Sequence, residues 1–364
     1  MPRKLEDAVV VITGASSGIG RAAALAFARH GATVVAAARR ELPLQEVATA
    51  CENLGGRALV APTDTADEPS VQELARRAIE NFGRIDVWVN NAAVTLFARF
   101  EESPPDAYRR VLETNLFGYI HGARAALPYF REQGSGILIN VASVVGVIGQ
   151  PYTSAYVASK FAIRGLSASL RMETLDAPDI HVCTVLPASI DTPLFQHAAN
   201  YTGRAVRPMS PVYAADHVAA AIVRLAEAPQ REVFVGNAGR LLGLLHSVAP
   251  GLAERLLARQ VDRSHFQERS APPTPGNLFR PMPEWTSVSG GWRAPTGRAL
   301  GGAALVGLAA FPAAVAAWQR TRTGLNPPWP FRGRRRKGLG RLPALAAWGL
   351  GLISARRPRV NVQL

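Results

Sequence analysis

Short apolar runs alternate with longer amphipathic segments along most of the chain, and this order restricts the fold more than any other feature of the sequence. The runs are largely continuous and not apolar at every second residue, which indicates strands that are buried on both faces. We predict strands at residues 8–12, 33–37, 57–61, 86–89, 136–141, 180–186 and 232–235. This alternation predicts an α/β fold with a doubly wound, seven-stranded parallel sheet and helices on both faces.

The segments between the runs have helical periodicity and carry residues that begin or end helices. Pro69 opens one such segment and Gly83 follows it, and Gly31 and Gly55 follow two others. We predict helices at residues 18–30, 42–54, 69–82, 104–130, 154–175 and 211–226. A further amphipathic segment, 241–257, is expected to pack as a helix either on the body or on a membrane surface.

The net charge of +14 belongs almost entirely to one end of the chain. Thirteen of the 41 Lys and Arg residues lie at or after Arg293, where there is no Asp or Glu, which leaves 28 basic against 27 acidic residues. The body is nearly neutral, so we expect no nucleic-acid partner. We predict three parts: the sheet-containing domain at 1–240, a helical extension with a Pro/Gly-rich linker (271–292) at 241–292, and a basic tail at 293–364.

Residues 299–318 form an uncharged run of twenty residues inside the tail. About 20 apolar residues suffice to cross a membrane. The run is rich in Ala and Gly and contains Pro312, so an Ala-rich helix outside the membrane is the alternative. The basic residues that follow, among them Arg334, Arg335 and Lys337, favour the cytoplasmic side. We expect a cytoplasmic protein whose tail either contacts the cytoplasmic face of a membrane or anchors the protein there.

A glycine-rich loop follows the first predicted strand. Its spacing is G-x-x-x-G-x-G, and glycines allow the backbone to approach a pyrophosphate, while the next helix begins with free N–H groups. Between a strand and a helix, such a loop predicts a dinucleotide site more strongly than an ordinary turn. The residues that we expect to bind the cofactor there are Gly14, Ser16, Ser17, Gly18, Ile19 and Gly20.

The residues after the next strands indicate which dinucleotide is bound. The second strand is followed by Arg39 and Arg40, with no carboxylate at the strand end. Arginines can pair with a 2′-phosphate, whereas an acidic residue would bind the ribose hydroxyl. We therefore expect NADP(H), with NAD(H) less favoured, and Arg39 as the better candidate ligand. Asp64 is expected to contact the adenine amino group, and Asn90 and Ala92 to lie along the adenosine half.

Tyr156 and Lys160 are four residues apart on a predicted helix, so their side chains lie on one face, one turn apart. A free tyrosine has a pKa of ~10, and a neighbouring ammonium or a cationic nicotinamide would lower it. The pair alone is common by chance. Ser143, which follows the fifth predicted strand, and Asn115, in the helix before that strand, complete a candidate proton-transfer set.

In these residues the sequence resembles the short-chain dehydrogenase/reductase family. The resemblance covers about residues 5–240, and its motifs are in the family's order. They are Thr13-Gly14-x-x-x-Gly18-Ile19-Gly20, Asn90-Asn91-Ala92, Asn115, Ser143 and Tyr156-x-x-x-Lys160. The resemblance implies a Rossmann-type fold and a homo-oligomer built through the long helices. Ala93 and Ala188 occupy positions where the family usually has glycine, so we expect a small backbone shift there.

The resemblance also implies a role for each residue. Tyr156 would give or take the proton, and Lys160 would lower the pKa of Tyr156 and bind the nicotinamide ribose. Ser143 would orient the substrate oxygen. Asn115 would hold a water that links Lys160 to solvent. Thr192 matches the position that contacts the nicotinamide carboxamide, and no metal site is expected.

These expectations predict an NADP(H)-dependent oxidoreductase that transfers a hydride between the nicotinamide and an alcohol or ketone, with Tyr156 as acid/base. The alternative is a non-catalytic NADP-binding scaffold or sensor at the membrane, which would have no need of an acid/base pair. A substrate lid is expected at 193–211, and its residues Phe195 and Met209 indicate a fairly apolar small-molecule substrate. His197, also in this lid, could assist catalysis, although a lone loop histidine is more often a surface residue.

Overall fold

The computed structural model describes residues 4–293, which belong to one compact unit. The predicted apolar run at 299–318 and the basic residues after it lie outside the described residues. Within residues 4–293, no helix has both the length and the apolar character that crossing a membrane requires.

Seven strands form one parallel sheet, which confirms the predicted α/β fold. The strands are β1 (Val9–Thr13), β2 (Thr33–Ala38), β3 (Arg57–Pro62), β4 (Val87–Asn90), β5 (Gly136–Val141), β6 (Ile180–Pro187) and β7 (Glu232–Val235). Their order in the sheet is β7-β6-β5-β4-β1-β2-β3, and each pair of neighbours is parallel. The chain therefore builds the sheet outward from β1 on one side and from β4 on the other.

Helices pack on both faces of the sheet, and those on each face form a core with it. The described helices are α1 (Gly18–Ala28), α2 (Glu41–Asn53), α3 (Glu68–Phe82), α4 (Pro105–Leu112), α5 (Gly118–Gln133), α6 (Ser154–Glu173), α7 (Ala215–Glu227), α8 (Asn237–Val248) and α9 (Pro250–Ser264). Val10 and Ile12 of β1 belong to the core with α1, α2 and α7. Val9 and Val11 belong to the core with α3 and α5. Because alternate residues of the strand enter different cores, the strand is apolar throughout.

The segment predicted as one helix at 104–130 is divided. A π-helical turn, Glu113–Phe117, separates α4 from α5. Asn115 lies in this turn, where its Oδ1 accepts a hydrogen bond from Val94 N at 2.8 Å and its Nδ2 donates to Val94 O at 2.9 Å. Such turns insert one residue into a helix and are frequent at functional sites. Helical periodicity does not reveal a one-residue insertion, which is why the sequence predicted a single helix.

The segment predicted as one amphipathic helix at 241–257 belongs to two helices. α8 ends before Ala249, and Pro250 begins α9. Proline cannot donate the hydrogen bond that would continue α8, and it disfavours helical backbone at the residue before it. Leu257 and Val261 of α9 are buried against the body, as the first of the two alternatives for this segment proposed.

The segment predicted as a linker at 271–292 is not a spacer. Before it, Phe266–Ser270 pairs antiparallel with Arg204–Val206, which directs the chain back across the body. Leu278 of the segment is fully buried and packs with residues of α4, among them Val111. Its Pro, Gly and Ser content disfavours helices and strands, but it does not prevent the backbone and single side chains from packing on a folded surface. Composition alone therefore suggested the wrong role.

Candidate active site

The loop after β1 forms one wall of a cleft at the carboxyl ends of the strands. Gly14 has a φ of +70°, and a Cβ on it would lie 2.8 Å from Ala92 Cα. Gly20, in the first turn of α1, lies so close to the loop that a Cβ would be 2.3 Å from Gly14 O. These close approaches bring the loop backbone beside the start of α1, where the first N–H groups lack helical partners. The loop residues that line the cleft are Gly14, Ser16, Ser17, Gly18 and Ile19.

Thr13 joins this loop to the loop after β4. Its Oγ1 accepts hydrogen bonds from Asn91 N at 3.0 Å and Ala92 N at 3.2 Å, and it donates to Val89 O at 3.3 Å. In return, Asn91 Nδ2 donates to Thr13 O at 2.9 Å. The two loops therefore form a continuous wall, in which Asn91, Ala92 and Ala93 line the cleft.

Asn90, which was predicted to lie along the cofactor, is not among the residues that line the cleft. Its Nδ2 donates to Asn140 Oδ1 at 2.9 Å and Tyr119 O at 3.2 Å, and its Oδ1 accepts from Trp88 Nε1 at 2.8 Å. The side chain thus ties β4 to β5 and α5. The next residue, Asn91, occupies the cleft position instead, because successive residues at the end of a strand point in opposite directions.

Ser143, Tyr156 and Lys160 line the same cleft. Ser143 follows β5, and the other two residues lie one turn apart on α6. The Ser143 side chain is a hydrogen-bond partner of Tyr156. Lys160 Nζ lies 5.3 Å from the centre of the Tyr156 ring and donates to Val141 O at 2.9 Å. The structure thus brings together three of the four residues that the sequence predicted to be catalytic.

Burial has the largest effect on the pKa values of Tyr156 and Lys160. It raises the pKa of Tyr156 to about 12, and the hydrogen bond to Ser143 opposes this rise. It also lowers the pKa of Lys160 to about 7. Both shifts disfavour the charged forms, so Tyr156 is a protonated acid at neutral pH. Lys160 is not among the causes of this shift, so the lowering of the Tyr156 pKa by Lys160 that the resemblance implied stays a prediction.

Asn115 is fully buried and is not among the residues that line the cleft. Both N–H groups of its amide are engaged, one with Val94 O and one with Ser159 Oγ at 3.2 Å. Because Ser159 precedes Lys160 on α6, the amide ties the loop after β4 to the catalytic helix. Its side chain therefore holds protein groups together, and the water relay that the resemblance implied stays a prediction.

Arg39 and Asp64 lie at the other end of the cleft, and both have partners within the chain. Arg39 donates to Asn277 O at 2.6 Å and to Leu278 O at 3.2 Å through its two terminal nitrogens, so its Nε–H is not used in these bonds. Asp64 accepts a hydrogen bond from Arg110 at 2.7 Å. Asn277 also lines the cleft, and its Oδ1 is buried without a hydrogen-bond partner among residues 4–293. This end of the cleft therefore has an available acceptor beside a guanidinium.

The chain crosses the cleft as a strap, which we define as residues 276–292. Met282 of the strap lines the cleft. Arg40 connects the strap to the glycine loop, because it donates to Met282 O at 3.0 Å and to both loop serines at 3.1 Å. Gly18 N, at the start of α1, donates to Ser287 O at 3.0 Å. The strap is therefore a wall of the cleft.

Asp191 anchors the far end of the strap. Its carboxylate is 4% exposed and accepts hydrogen bonds from Ser289 Oγ at 2.7 Å, Gly290 N at 3.0 Å and Trp292 N at 2.9 Å. Trp292 Nε1 donates to Thr192 O at 3.2 Å. Thr192, the predicted contact of the nicotinamide carboxamide, lines the cleft. The strap thus holds the backbone of a predicted cofactor ligand.

Sequence reasoning missed the residues that hold the strap. His197 was expected at the surface, yet it is buried, and its ring donates from Nε2 to Glu284 O of the strap at 3.1 Å. Burial lowers the pKa of His197, so the ring is neutral at neutral pH. Asp191 and Arg40 were not singled out for this role. Their partners are about 100 and 240 residues away along the chain, and most are backbone groups, so no motif identifies them.

The strand order, the glycine loop and the Ser143–Tyr156–Lys160 group define a nicotinamide-dependent oxidoreductase of the doubly wound class. The family model described as short chain dehydrogenase matches residues 8–202. The chain belongs to the short-chain dehydrogenase/reductase family and is an enzyme that acts on CH–OH or C=O groups with NAD(P).

Individual relatives agree with this assignment. The uncharacterized oxidoreductase YxnA of Bacillus subtilis is 38% identical over 274 residues, which are 74% of this chain and 77% of that protein. The alcohol dehydrogenase from the archaeon Thermococcus sibiricus, complexed with 5-hydroxy-NADP, is 29% identical, with a TM-score of 0.56 over 63% of this chain and 95% of that chain. A short chain dehydrogenase/reductase from Burkholderia phymatum in complex with NAD is 26% identical, with a TM-score of 0.64 over 69% of this chain and 97% of that chain.

The strap's dependence on Asp191 is testable by hydrogen exchange. In Asp191→Asn we expect the amides of Gly290 and Trp292 to exchange about tenfold faster or more, because hydrogen bonds to a charged acceptor contribute about 1.5–3 kcal/mol. The control is Asp176→Asn, which removes a carboxylate that is 68% exposed on another surface. Unchanged protection of both amides in Asp191→Asn would contradict this role.

Proposed function

We propose that the protein transfers a hydride between NADP(H) and an alcohol or ketone, with Tyr156 as the acid/base. The observation that carries the proposal is that Ser143, Tyr156 and Lys160 line the same cleft as the glycine loop after β1. A proton donor and a dinucleotide cradle on one cleft are what carbonyl reduction requires. A scaffold that only binds a dinucleotide has no use for this group, so the enzyme is the better supported of the two predicted functions.

Tyr156 donates the proton in the reductive direction. Its raised pKa keeps the hydroxyl protonated at neutral pH, which is the form that a carbonyl oxygen needs as partner. Ser143 hydrogen-bonds the same oxygen and stabilises the charge that develops on it. Lys160, held by Val141 O, lies beside the Tyr156 ring and stabilises the phenolate that remains. A bound nicotinamide supplies the hydride in this direction and accepts it in the reverse direction.

The residues of the cleft fit a dinucleotide. The glycine loop permits close approach of a pyrophosphate, and the start of α1 favours its negative charge. Asn277 Oδ1, buried without a partner among the described residues, could accept from a ribose hydroxyl or an amino group. Arg39 and Arg40 make the end of the cleft beyond β2 basic, which favours a 2′-phosphate. The order of preference that we propose is therefore NADP(H) over NAD(H).

Tyr156→Phe tests the catalytic assignment. We expect kcat with NADPH and a broad panel of ketones to fall about 10³-fold, the size of a general-acid contribution, while NADPH binding measured by fluorescence is retained. Tyr129→Phe is the matched control, since Tyr129 is a partly buried residue of α5 that packs against the core and is not among the cleft-lining residues. Full activity of Tyr156→Phe would refute the acid/base role and favour the scaffold alternative.

Arg39→Ala tests the cofactor preference. Arg39 also binds two strap carbonyls, so two effects must be separated. Loss of 2′-phosphate recognition weakens NADPH binding alone, by about tenfold or more, whereas loosening of the strap weakens NADPH and NADH equally. We expect the ratio of the two Kd values to change. An unchanged ratio in Arg39→Ala, with Arg131→Ala as surface control, would remove Arg39 from the phosphate site.

We also propose contact with the cytoplasmic face of a membrane. The segment that suggested it, 299–318, lies outside the described residues. Within them, the α8–α9 pair supports the proposal, because Leu244, Val248 and Leu256 are 59%, 66% and 47% exposed. We expect the full chain to float with vesicles that contain phosphatidylserine and to float less with phosphatidylcholine alone, since the tail is basic. Failure to float with either would refute membrane contact.

Self-association through the long helices is part of the same proposal. Phe117, in the turn before α5, and Phe161, on α6, are 49% and 43% exposed. Large apolar side chains at the surface of two neighbouring helices are typical of an interface. A homo-oligomer formed there would cover them without blocking the cleft-lining residues Tyr156 and Lys160.

A further inference from the structure

One part of the cleft is lined by aromatic and apolar side chains together with a histidine that the catalytic mechanism does not use. Phe97, Phe195, Met209 and His265 share the cleft with Tyr156. The first three belong to one apolar cluster with the buried residues of α9. This part of the cleft is therefore suited to the body of an apolar substrate, and His265 is the polar group within it.

The position of the His265 ring is determined by its backbone and by one ring nitrogen. His265 follows α9, and its N donates to Val261 O at 2.9 Å, while its O accepts from Arg207 N at 3.0 Å. Ring atom Nδ1 is hydrogen-bonded to Arg207 O. A carbonyl oxygen can only accept, so Nδ1 carries the proton in this bond. In the neutral ring, Nε2 is then an acceptor with a free lone pair.

The surroundings of the ring keep it neutral. The ring centre lies 5.1 Å from that of Phe97 and 5.8 Å from that of Phe195. His265 is 4% exposed, and this burial lowers its pKa. Among residues 4–293 the structure shows no hydrogen-bond partner for Nε2. Because His265 lines the cleft, its ring brings one acceptor nitrogen to an otherwise apolar region.

We propose that His265 Nε2 is a substrate-recognition site that accepts a hydrogen bond from a hydroxyl group distant from the reacting carbon. The substrate class is an apolar or aromatic ketone, or the corresponding alcohol, that carries a second hydroxyl. Its body lies among Phe97, Phe195 and Met209. The proposal rests on the proposed function for the position of the reacting carbonyl at Tyr156, but the hydrogen bond to His265 does not require hydride transfer.

Binding of three related ketones tests the site without turnover. The probes are 1-tetralone, 6-hydroxy-1-tetralone and 6-methoxy-1-tetralone, and their Kd values for the full-length protein are measured by calorimetry. We expect the hydroxy ketone to bind about fivefold or more tighter than 1-tetralone, which is the size of one neutral hydrogen bond. The methoxy ketone cannot donate a hydrogen bond, so we expect it to gain nothing over 1-tetralone.

Two substitutions assign the effect to Nε2. His265→Asn keeps an N–H that can reach Arg207 O but has no atom at Nε2, so the ratio of the 1-tetralone to hydroxy-ketone Kd values should fall to about one. His265→Gln extends a side-chain oxygen toward the Nε2 position and should restore part of the ratio. The control is His246→Asn, which changes a half-buried histidine of α8 that is not among the cleft-lining residues and should keep the wild-type ratio.

Several outcomes would overturn the proposal. In the wild type these are no binding of any of the three ketones, or no preference for the hydroxy ketone over 1-tetralone. A preference that persists in His265→Asn would also overturn it. So would an equal gain in affinity for the methoxy ketone, because the protein would then donate the hydrogen bond. Failure of the proposed function appears differently. In that case the hydroxy ketone binds with the expected ratio, but neither it nor any other ketone is reduced with NADPH.

Discussion

The parallel pairing of β1 with β4 is the constraint on which the rest of the structure depends. Val10 lies opposite Val87 and Ile12 opposite Val89, so both strands end at the same edge of the sheet. From this pair the sheet grows in opposite directions, and a cleft lies at the carboxyl ends of the strands where the direction changes. The hydrogen bonds of Thr13 join the loops after β1 and β4 into one wall of that cleft. The glycine loop and the catalytic residues are then placed around it by the strands that follow.

The strap completes this cleft with backbone that belongs to no helix or strand. Irregular backbone needs partners for its N–H and C=O groups when it packs against a protein surface. Here the partners are charged side chains at the strand ends: Arg39 and Arg40 bind carbonyl groups, and Asp191 binds N–H groups. The same arginines are the candidate ligands of a 2′-phosphate. In the proposed function the strap and the cofactor site share these side chains, which would couple the order of the strap to binding at the basic end of the cleft.

Much of the fold and of the catalytic group could be predicted because the responsible signals are local. Each strand is a short apolar run, and the four-residue spacing of Tyr156 and Lys160 determines that they share a helix face. The predictions that were wrong concern features with no local signal. The π-helical turn at Asn115 is held by Val94, 21 residues away. The single helix predicted over 241–257 is interrupted at Pro250. The direction of the Asn90 side chain likewise has no local signal, because it depends on Asn140 and Tyr119.

The sequence by itself determined the class of fold, the position of the glycine-rich loop and the placement of Tyr156 and Lys160 on one helix face, since each follows from the order and spacing of neighbouring residues. Only the tertiary structure decided the rest. It converted a Pro/Gly-rich segment into a wall of the cleft, made burial the dominant influence on the pKa of Tyr156, and placed His265 among apolar residues of the cleft. The reason is physical: burial and hydrogen-bond partnership depend on which distant residues surround a group, and a local pattern contains no record of them.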